Sequence, residues 1–354
     1  MSEAAKLFDR TCQDQCDAPG VPCGHYVNGG YCTLGNHFRC VEYIIHHEPP
    51  LSYSAIDTYT ACHRKYYWQQ LVGLELIDKS WAMKLGSYAS TILGWLHSST
   101  IETPQALDLY TDYIESLFKE TTDPEDEERI YGHVDIWKMK AMFDVYLRMN
   151  FHLLKGITEY EFRWNEIECP QVHGFIDLII LINSEEHTGY EFKWTGNPDN
   201  YGKFMNGDQY TSYFIGDPKI ELMINRCFVP PEIRPKKATK KQSSESIFDY
   251  YQRAYDDILQ MNTHRYFIDR KFWRSEFDLE AYKNKAKRVA QEIMRYVDEG
   301  GMEPFYQNKK NCLNPFRCDY WRACENDILT PWELTDCYQK KGDRKNAEGT
   351  GKVV

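Results

Sequence analysis

Asp177, Glu191 and Lys193 have the residue types and spacing that phosphodiester hydrolysis requires. Asp177 closes the run Gly174-Phe175-Ile176-Asp177, and Glu191 and Lys193 lie within Gly189-Tyr190-Glu191-Phe192-Lys193-Trp194-Thr195. In an extended strand successive side chains point to opposite faces. Glu191 and Lys193 therefore share one face, and Phe192 points the other way into a core. Carboxylates gathered in this way offer hard oxygens to Mg²⁺ or Mn²⁺, while a nearby lysine orients or deprotonates the attacking water. An E-x-K in a strand is by itself a common solvated polar face, so its surroundings decide the reading.

Two further groups of residues bear on that chemistry. Gln209-Tyr210-Thr211-Ser212-Tyr213 follows in a stretch whose apolar spacing (Phe204, Met205, Tyr210, Tyr213, Phe214) predicts a helix. Gln209 and Tyr213, four apart, share a helical face and could orient a scissile phosphate or a terminal base. An amphipathic aromatic helix is the alternative. Cys312, Cys318 and Cys324 are separated by two gaps of five residues each, the pattern of a metal loop that needs a fourth ligand, and Cys62 could supply it. Four thiolates suit Zn²⁺ and an iron–sulfur cluster equally.

The order of these motifs carries a resemblance. Ser52-Tyr53-Ser54-Ala55-Ile56, Tyr59, Cys62, Arg64-Lys65-Tyr66-Tyr67 and Gly73-Leu74 are followed by the acid at Asp177, the E-x-K, the Q-x-x-x-Y and the three late cysteines. From Ser52 to Cys324 this resembles the iron–sulfur branch of the RecB-like PD-(D/E)XK nucleases. That branch includes the CRISPR-associated RecB-like exonucleases, the AddB nuclease domain and phage relatives. The resemblance implies a restriction-endonuclease-like α/β core with a mixed central sheet flanked by helices, an N-terminal helical layer and a C-terminal iron–sulfur cysteine loop. It also implies Mg²⁺ or Mn²⁺ at Asp177 and Glu191, Lys193 beside the attacking water, Gln209 and Tyr213 on the substrate, and a [4Fe–4S] cluster on Cys62, Cys312, Cys318 and Cys324.

Two departures stand out. Relatives carry a metal-binding histidine four residues after a helix glycine, where this chain has Ser90 after Gly86. His97, two turns beyond Ser90 on the same helix, is the candidate replacement ligand, about 10 Å further along. The first gap of the cysteine loop is also longer than the C-x-x-C of some relatives.

The elements that must position these groups follow from periodicity. Helices are predicted at 54–71, 81–99, 105–120, 134–154, 245–261 and 277–298, and strands at 158–168, 172–182, 189–195 and 220–229. Glu161, on the strand before that of Asp177, is a candidate auxiliary acid, with an exposed strand glutamate as the alternative. Thr121–Glu128 reads as a solvated acidic connection. Three segments are expected: a cysteine-rich segment 1–50, a nuclease domain 51–330 closed by the cluster, and a polar tail 331–354. Within the first, Cys12, Cys16, Cys23, His25, Cys32 and Cys40 have ligand types suited to Zn²⁺, but their spacing fits no finger pattern and free thiols are the alternative.

Composition narrows the function classes. A chain of 354 residues with 42% hydrophobic content can bury a sizeable core. No apolar run is long enough for a membrane span and the start lacks a basic-then-apolar signal, so a soluble, cytoplasmic or nucleoid-associated protein is expected. The twelve cysteines then read as thiols and metal ligands. The net charge of −11 argues against a nucleic-acid coat. From Arg226 onward, however, 25 Lys+Arg face 20 Asp+Glu, and the first 225 residues carry −16. Lys236–Lys241 and Lys283–Arg288 could track DNA, and Tyr266, Phe267, Phe272 and Trp273 could stack on unpaired bases, although core packing is the alternative for most of them. The expected activity is that of a metal-dependent DNA exonuclease on single-stranded or frayed ends, in recombination, repair, replication or CRISPR adaptation. The alternatives are a catalytically weak DNA-binding iron–sulfur subunit of a larger complex, and an RNA-directed nuclease.

Overall fold

The computed structural model describes residues 26–27, 31–32, 51–77, 79–121, 127–165, 171–237, 245–260, 263–299, 304–312, 318–325 and 338–340. The chain divides into two compact units. One comprises Met1–Asp78, Asn165–Val172 and Asn284–Val354, and the other Lys79–Trp164 and His173–Lys283. These boundaries differ from the expected segments 1–50, 51–330 and 331–354, because the first unit gathers chain from both ends.

In the first unit Ser52 caps helix α1 (Tyr53–Ala61), its Oγ accepting the Ala55 N–H at 3.1 Å. The helix predicted over 54–71 is broken at Cys62, whose backbone is extended (φ −163°, ψ 112°). It resumes as α2 (His63–Tyr66) and a π-helical turn, Tyr67–Leu71. The break frees the Cys62 thiol from the helical row, and its Sγ accepts the Asn308 N–H at 3.4 Å. Gly73 takes a positive φ of 74°, open to glycine at no steric cost, and turns the chain into strand β3 (Leu74–Leu76). Strand β9 (Tyr338–Lys340) pairs antiparallel with β3, so part of the expected polar tail is hydrogen-bonded structure. A short antiparallel pair, β1 (Tyr26–Val27) and β2 (Tyr31–Cys32), lies within the cysteine-rich segment. Helix α9 (Trp321–Glu325) carries Cys324, the last of the three late cysteines.

The second unit holds a five-stranded sheet in the order β4-β5-β6-β7-β8: β4 Ile157–Trp164, β5 Val172–Leu181, β6 His187–Trp194, β7 Ile220–Phe228 and β8 Phe267–Trp273. β5 and β6 are antiparallel, β6 and β7 parallel, and β7 and β8 antiparallel. The parallel step needs a crossover, which is helix α6 (Lys203–Gly216). β8 was not foreseen. Its Phe267 and Phe272 are buried and Tyr266 beside it is 4% exposed, so these three fill the core, whereas Trp273 is 50% exposed.

The two faces of the sheet are covered differently. Helices α3 (Trp81–His97), α4 (Thr103–Thr121), α5 (Glu127–Arg148) and α7 (Ile247–Gln260) bring Ile92, Leu96, Phe143, Tyr146, Ala254 and Ile258 into one core with Phe228 and Phe267. On the opposite face α6 stacks Tyr210 on Phe272 at 4.5 Å and sets Tyr213 against Phe162 at 5.4 Å. Where α3 meets the sheet, a Cβ on Gly156 would fall 2.2 Å from the Ile179 carbonyl oxygen, so only glycine permits that approach. No described helix is long and apolar enough to cross a membrane. The long helix α8 (Leu279–Glu299) carries the second basic group, whose Lys283 donates to Glu280. Lys236 and Lys237 of the first basic group are exposed, while 238–241 and most of the acidic connection at 121–128 lie outside the described residues.

Candidate active site

The site forms where β5 and β6 part. Their antiparallel pairing ends at Leu178 opposite Tyr190. At the next position the Phe192 N–H donates to Oδ2 of Asp177 at 2.7 Å, so a carboxylate satisfies a backbone donor that would otherwise pair with a strand. Glu191 leaves β6 on the α6 face beside that carboxylate, with Lys193 on the same face. Phe192 lies in the opposite core, as alternation requires.

Glu191 is 3% exposed and accepts three hydrogen bonds. Lys193 Nζ donates to its Oε1 at 2.5 Å, Gln209 Nε2 donates to the same oxygen at 3.0 Å, and the Tyr213 hydroxyl donates to Oε2 at 3.1 Å. Gln209 also donates to the Tyr213 hydroxyl at 2.5 Å, which confirms that residues four apart share the helical face of α6. Lys193, Gln209 and Tyr213, the other three residues of the E-x-K and Q-x-x-x-Y patterns, therefore converge on the Glu191 carboxylate.

Burial and like charge set the electrostatics. Burial first, then the Glu191 carboxylate, pushes the Asp177 carboxyl up to about 8, against the opposing pull of Lys193. Burial disfavours the Lys193 ammonium, but Glu191 and Asp177 outweigh it and hold Lys193 well above its ordinary range, so it is a cation that donates hydrogen bonds. Burial and the same two acids raise Tyr213, which stays a phenol and a donor. Two acids crowded into a water-poor pocket with one ammonium between them present what a hard divalent cation neutralises, and the donor set fits Mg²⁺ or Mn²⁺. Among the described residues no group of three or more His, Cys, Asp or Glu is placed so that together they could hold a metal ion.

A third acid was not legible in the pattern. Glu159 on β4 sits at φ 50°, in the left-handed region that a non-glycine residue adopts at a cost of about 1–3 kcal/mol. Its side chain is exposed, as is that of Glu161, yet desolvation and the Glu191 carboxylate raise its carboxyl, and it acts in turn on Asp177. Glu161, the expected auxiliary acid, is exposed and bonded to Arg163 instead.

His97 is not brought to the carboxylates. It is fully buried on the opposite face, stacked on Phe192 at 5.1 Å. Its Nδ1 is 2.6 Å from the Leu154 carbonyl and its Nε2 2.8 Å from the Tyr146 hydroxyl. Both ring nitrogens are thus engaged, and burial pushes the imidazole down to about 4, so it remains neutral. Ser90 is exposed on the same helix.

The cysteine residues belong to the first unit. Burial raises the Cys318 thiol, to which Cys62 and Cys312 add. Burial lifts Cys324 to about 12, with Cys318 and Cys62 contributing against the opposing Arg64. Cys318 thus lies within electrostatic reach of Cys62, Cys312 and Cys324, and its N–H donates to the Cys312 carbonyl at 2.8 Å. Residues 313–317 of the loop, and the side chains of Cys12, Cys16, Cys23, His25, Cys32 and Cys40, lie outside the described residues.

A family model described as the PD-(D/E)XK nuclease superfamily matches residues 50–325. No curated protein matches the sequence. Among solved structures, the crystal structure of SSO0001 matches at 16% identity over 49% of this chain and 76% of that chain. Its TM-score of 0.19 is too low to bear on fold or function.

Two outcomes follow. His97→Ala is expected to cost about 2–4 kcal/mol of stability in urea unfolding, from a cavity and two orphaned partners. It should leave calorimetric Mn²⁺ affinity unchanged, and a loss of affinity would restore His97 to the ligand set. Because Asp177 titrates higher folded than unfolded, its contribution to stability is fully present at low pH and is lost as pH rises towards about 8. The melting temperature of metal-free protein should fall over that rise, Mn²⁺ should restore it, and Asp177→Asn should flatten the slope.

Proposed function

The chain belongs to the PD-(D/E)XK nuclease superfamily, and we propose that it is a metal-dependent DNA nuclease acting as an exonuclease on single-stranded or frayed ends. The observation that carries this reading is the convergence of Lys193, Gln209 and Tyr213 on Glu191, with Asp177 against it. The setting we infer is the processing of DNA ends in recombination, repair, replication or CRISPR adaptation.

Hydrolysis joins a water oxygen to phosphorus and breaks a phosphorus–oxygen ester bond, leaving a phosphate monoester and a free hydroxyl. Bound by Asp177 and Glu191, Mg²⁺ or Mn²⁺ supplies Lewis-acid polarisation and a more acidic water. Lys193, cationic and 2.5 Å from Glu191, is placed to hold that water or a phosphate oxygen by donation. Gln209 and Tyr213 fix the rotamer of Glu191, so that a substrate meets oriented carboxylate oxygens. Glu159 adds a third negative charge at the rim.

For the first unit we propose a [4Fe–4S] cluster on Cys62, Cys312, Cys318 and Cys324. The donor chemistry is that of four cysteines, whose thiols release their protons on binding metal. Lys65 near Cys318 and Arg64 near Cys324 would offset the added negative charge. Anaerobically purified protein should be brown with about four irons per chain and bleach in Cys62→Ser; colourless, zinc-loaded protein overturns the cluster.

The activity is tested with the same protein and Mn²⁺ on end-labelled linear and closed circular single-stranded DNA, beside Glu191→Ala. Degradation of linear DNA alone, lost in the variant, is the expected result. Cutting of circles makes the enzyme an endonuclease, and preference for RNA of the same sequence makes it a ribonuclease. Cleavage of neither, with metal-independent DNA binding, favours a binding subunit, a reading that Ser90 and the turned-away His97 motivate.

A further inference from the structure

A second cation stands on the α6 face of the sheet and takes no part in the constellation around Glu191. The β7–β8 register sets Arg270 opposite Asn225, and the β6–β7 register sets Asn225 beside Glu191. Glu191, Asn225 and Arg270 therefore form one row across three strands, with side chains on one face. Neighbouring strands are about 4.8 Å apart, which puts Arg270 about 10 Å from Glu191 between backbones. The adjoining row is Lys193, Cys227 and Ile268. Burial raises the buried Cys227 thiol, and Arg270 and Lys193 are the two cations close enough to oppose that rise.

The partners of Arg270 are few. Its Nη2 donates to Oδ1 of Asp199 at 2.5 Å, and its Nε is buried without a partner among the described residues. The Asp199 side chain is 86% exposed, so this ion pair is screened and contributes little to stability. A guanidinium presents five N–H donors in a planar fork that matches phosphate oxygens. A solvated carboxylate on that fork has the charge and the acceptor atoms of a phosphate oxygen pair. Asp199 lies on the turn Pro198–Tyr201 that follows β6, and the ring of Tyr201 is 6.0 Å from Lys193 Nζ. The turn thus borders both cations of the face.

We propose that Arg270 binds a backbone phosphate of the substrate strand, next to the phosphodiester that faces Asp177 and Glu191, and that Asp199 holds the guanidinium until that phosphate displaces it. The proposal rests on the nuclease reading of the same site. Arg270 then serves binding and register of the strand, and Asp199 competes with the substrate.

The test is fluorescence anisotropy with a labelled single-stranded oligonucleotide, in EDTA and across a salt series, on wild type, Arg270→Ala, Arg270→Lys and Asp199→Asn. Arg270→Ala should weaken binding about tenfold and reduce the slope of log affinity against log salt by about 0.7, the value of one single-strand phosphate contact. Arg270→Lys should recover part of the loss, and Asp199→Asn should bind more tightly than wild type. Wild-type affinity and slope in Arg270→Ala overturn the proposal. If Arg270→Ala does not fold, Asp199→Asn decides, and unchanged or weaker binding overturns it. Failure here with wild-type cleavage intact in Mn²⁺ removes Arg270 alone, whereas wild-type protein that neither binds nor cleaves DNA removes the nuclease reading as well.

Discussion

Two carboxylates share a pocket from which water is largely excluded, and the rest of the second unit is arranged around that conflict. Asp177 bears that conflict, since burial and the Glu191 carboxylate beside it both raise its carboxyl. Lys193 answers one charge and α6 brings two neutral donors to the same acid. What remains uncompensated is the demand that a divalent cation meets. An acid displaced from this pocket would be an ordinary surface carboxylate with no affinity for metal.

Holding the acids requires a stiff strand, and the opposite face supplies it. Phe192, between Glu191 and Lys193 in sequence, is stacked on His97, whose ring is fixed by Leu154 and Tyr146. Arg226 donates to Tyr146 and makes a two-pronged bond to Asp269, both at 2.7 Å, which ties β7 to β8. This buried polar network is satisfied by its own members, and such networks fix one arrangement where a purely apolar core would accept several. His97 thus orders the site from behind as a packing residue. The chemistry on one face of β6 depends on the packing of the other, because a strand cannot turn one side chain without turning its neighbours.

The first unit obeys a different constraint. Its four candidate ligands come from positions 62 and 312–324, and the break in helix geometry at Cys62 lets an N-terminal thiol accept from the C-terminal segment at Asn308. Ala61 adds to that junction, its carbonyl accepting from Asn308 at 3.0 Å and Asn311 at 2.7 Å. Chain ends so far apart in sequence carry a large closure entropy, which local bonds of this kind offset only in part.

The sequence by itself determined the features that depend on local period. Alternation in β6 put Glu191 and Lys193 on one face, the four-residue repeat of α6 put Gln209 beside Tyr213, and the order of the motifs indicated the family. Tertiary structure decided everything that depends on register between strands or on which face a helix covers. It set Glu159 within electrostatic reach of Asp177 and Glu191 at a positive φ that no composition signals, and it turned His97 away from the acids. It also recruited β8 to the sheet and so brought Arg270 into line with Glu191. A residue's period is written in its neighbours, but its partner across a sheet is fixed only when distant segments pack. That is why the shared faces of β6 and α6 were legible in the chain and the residues that surround and position them were not.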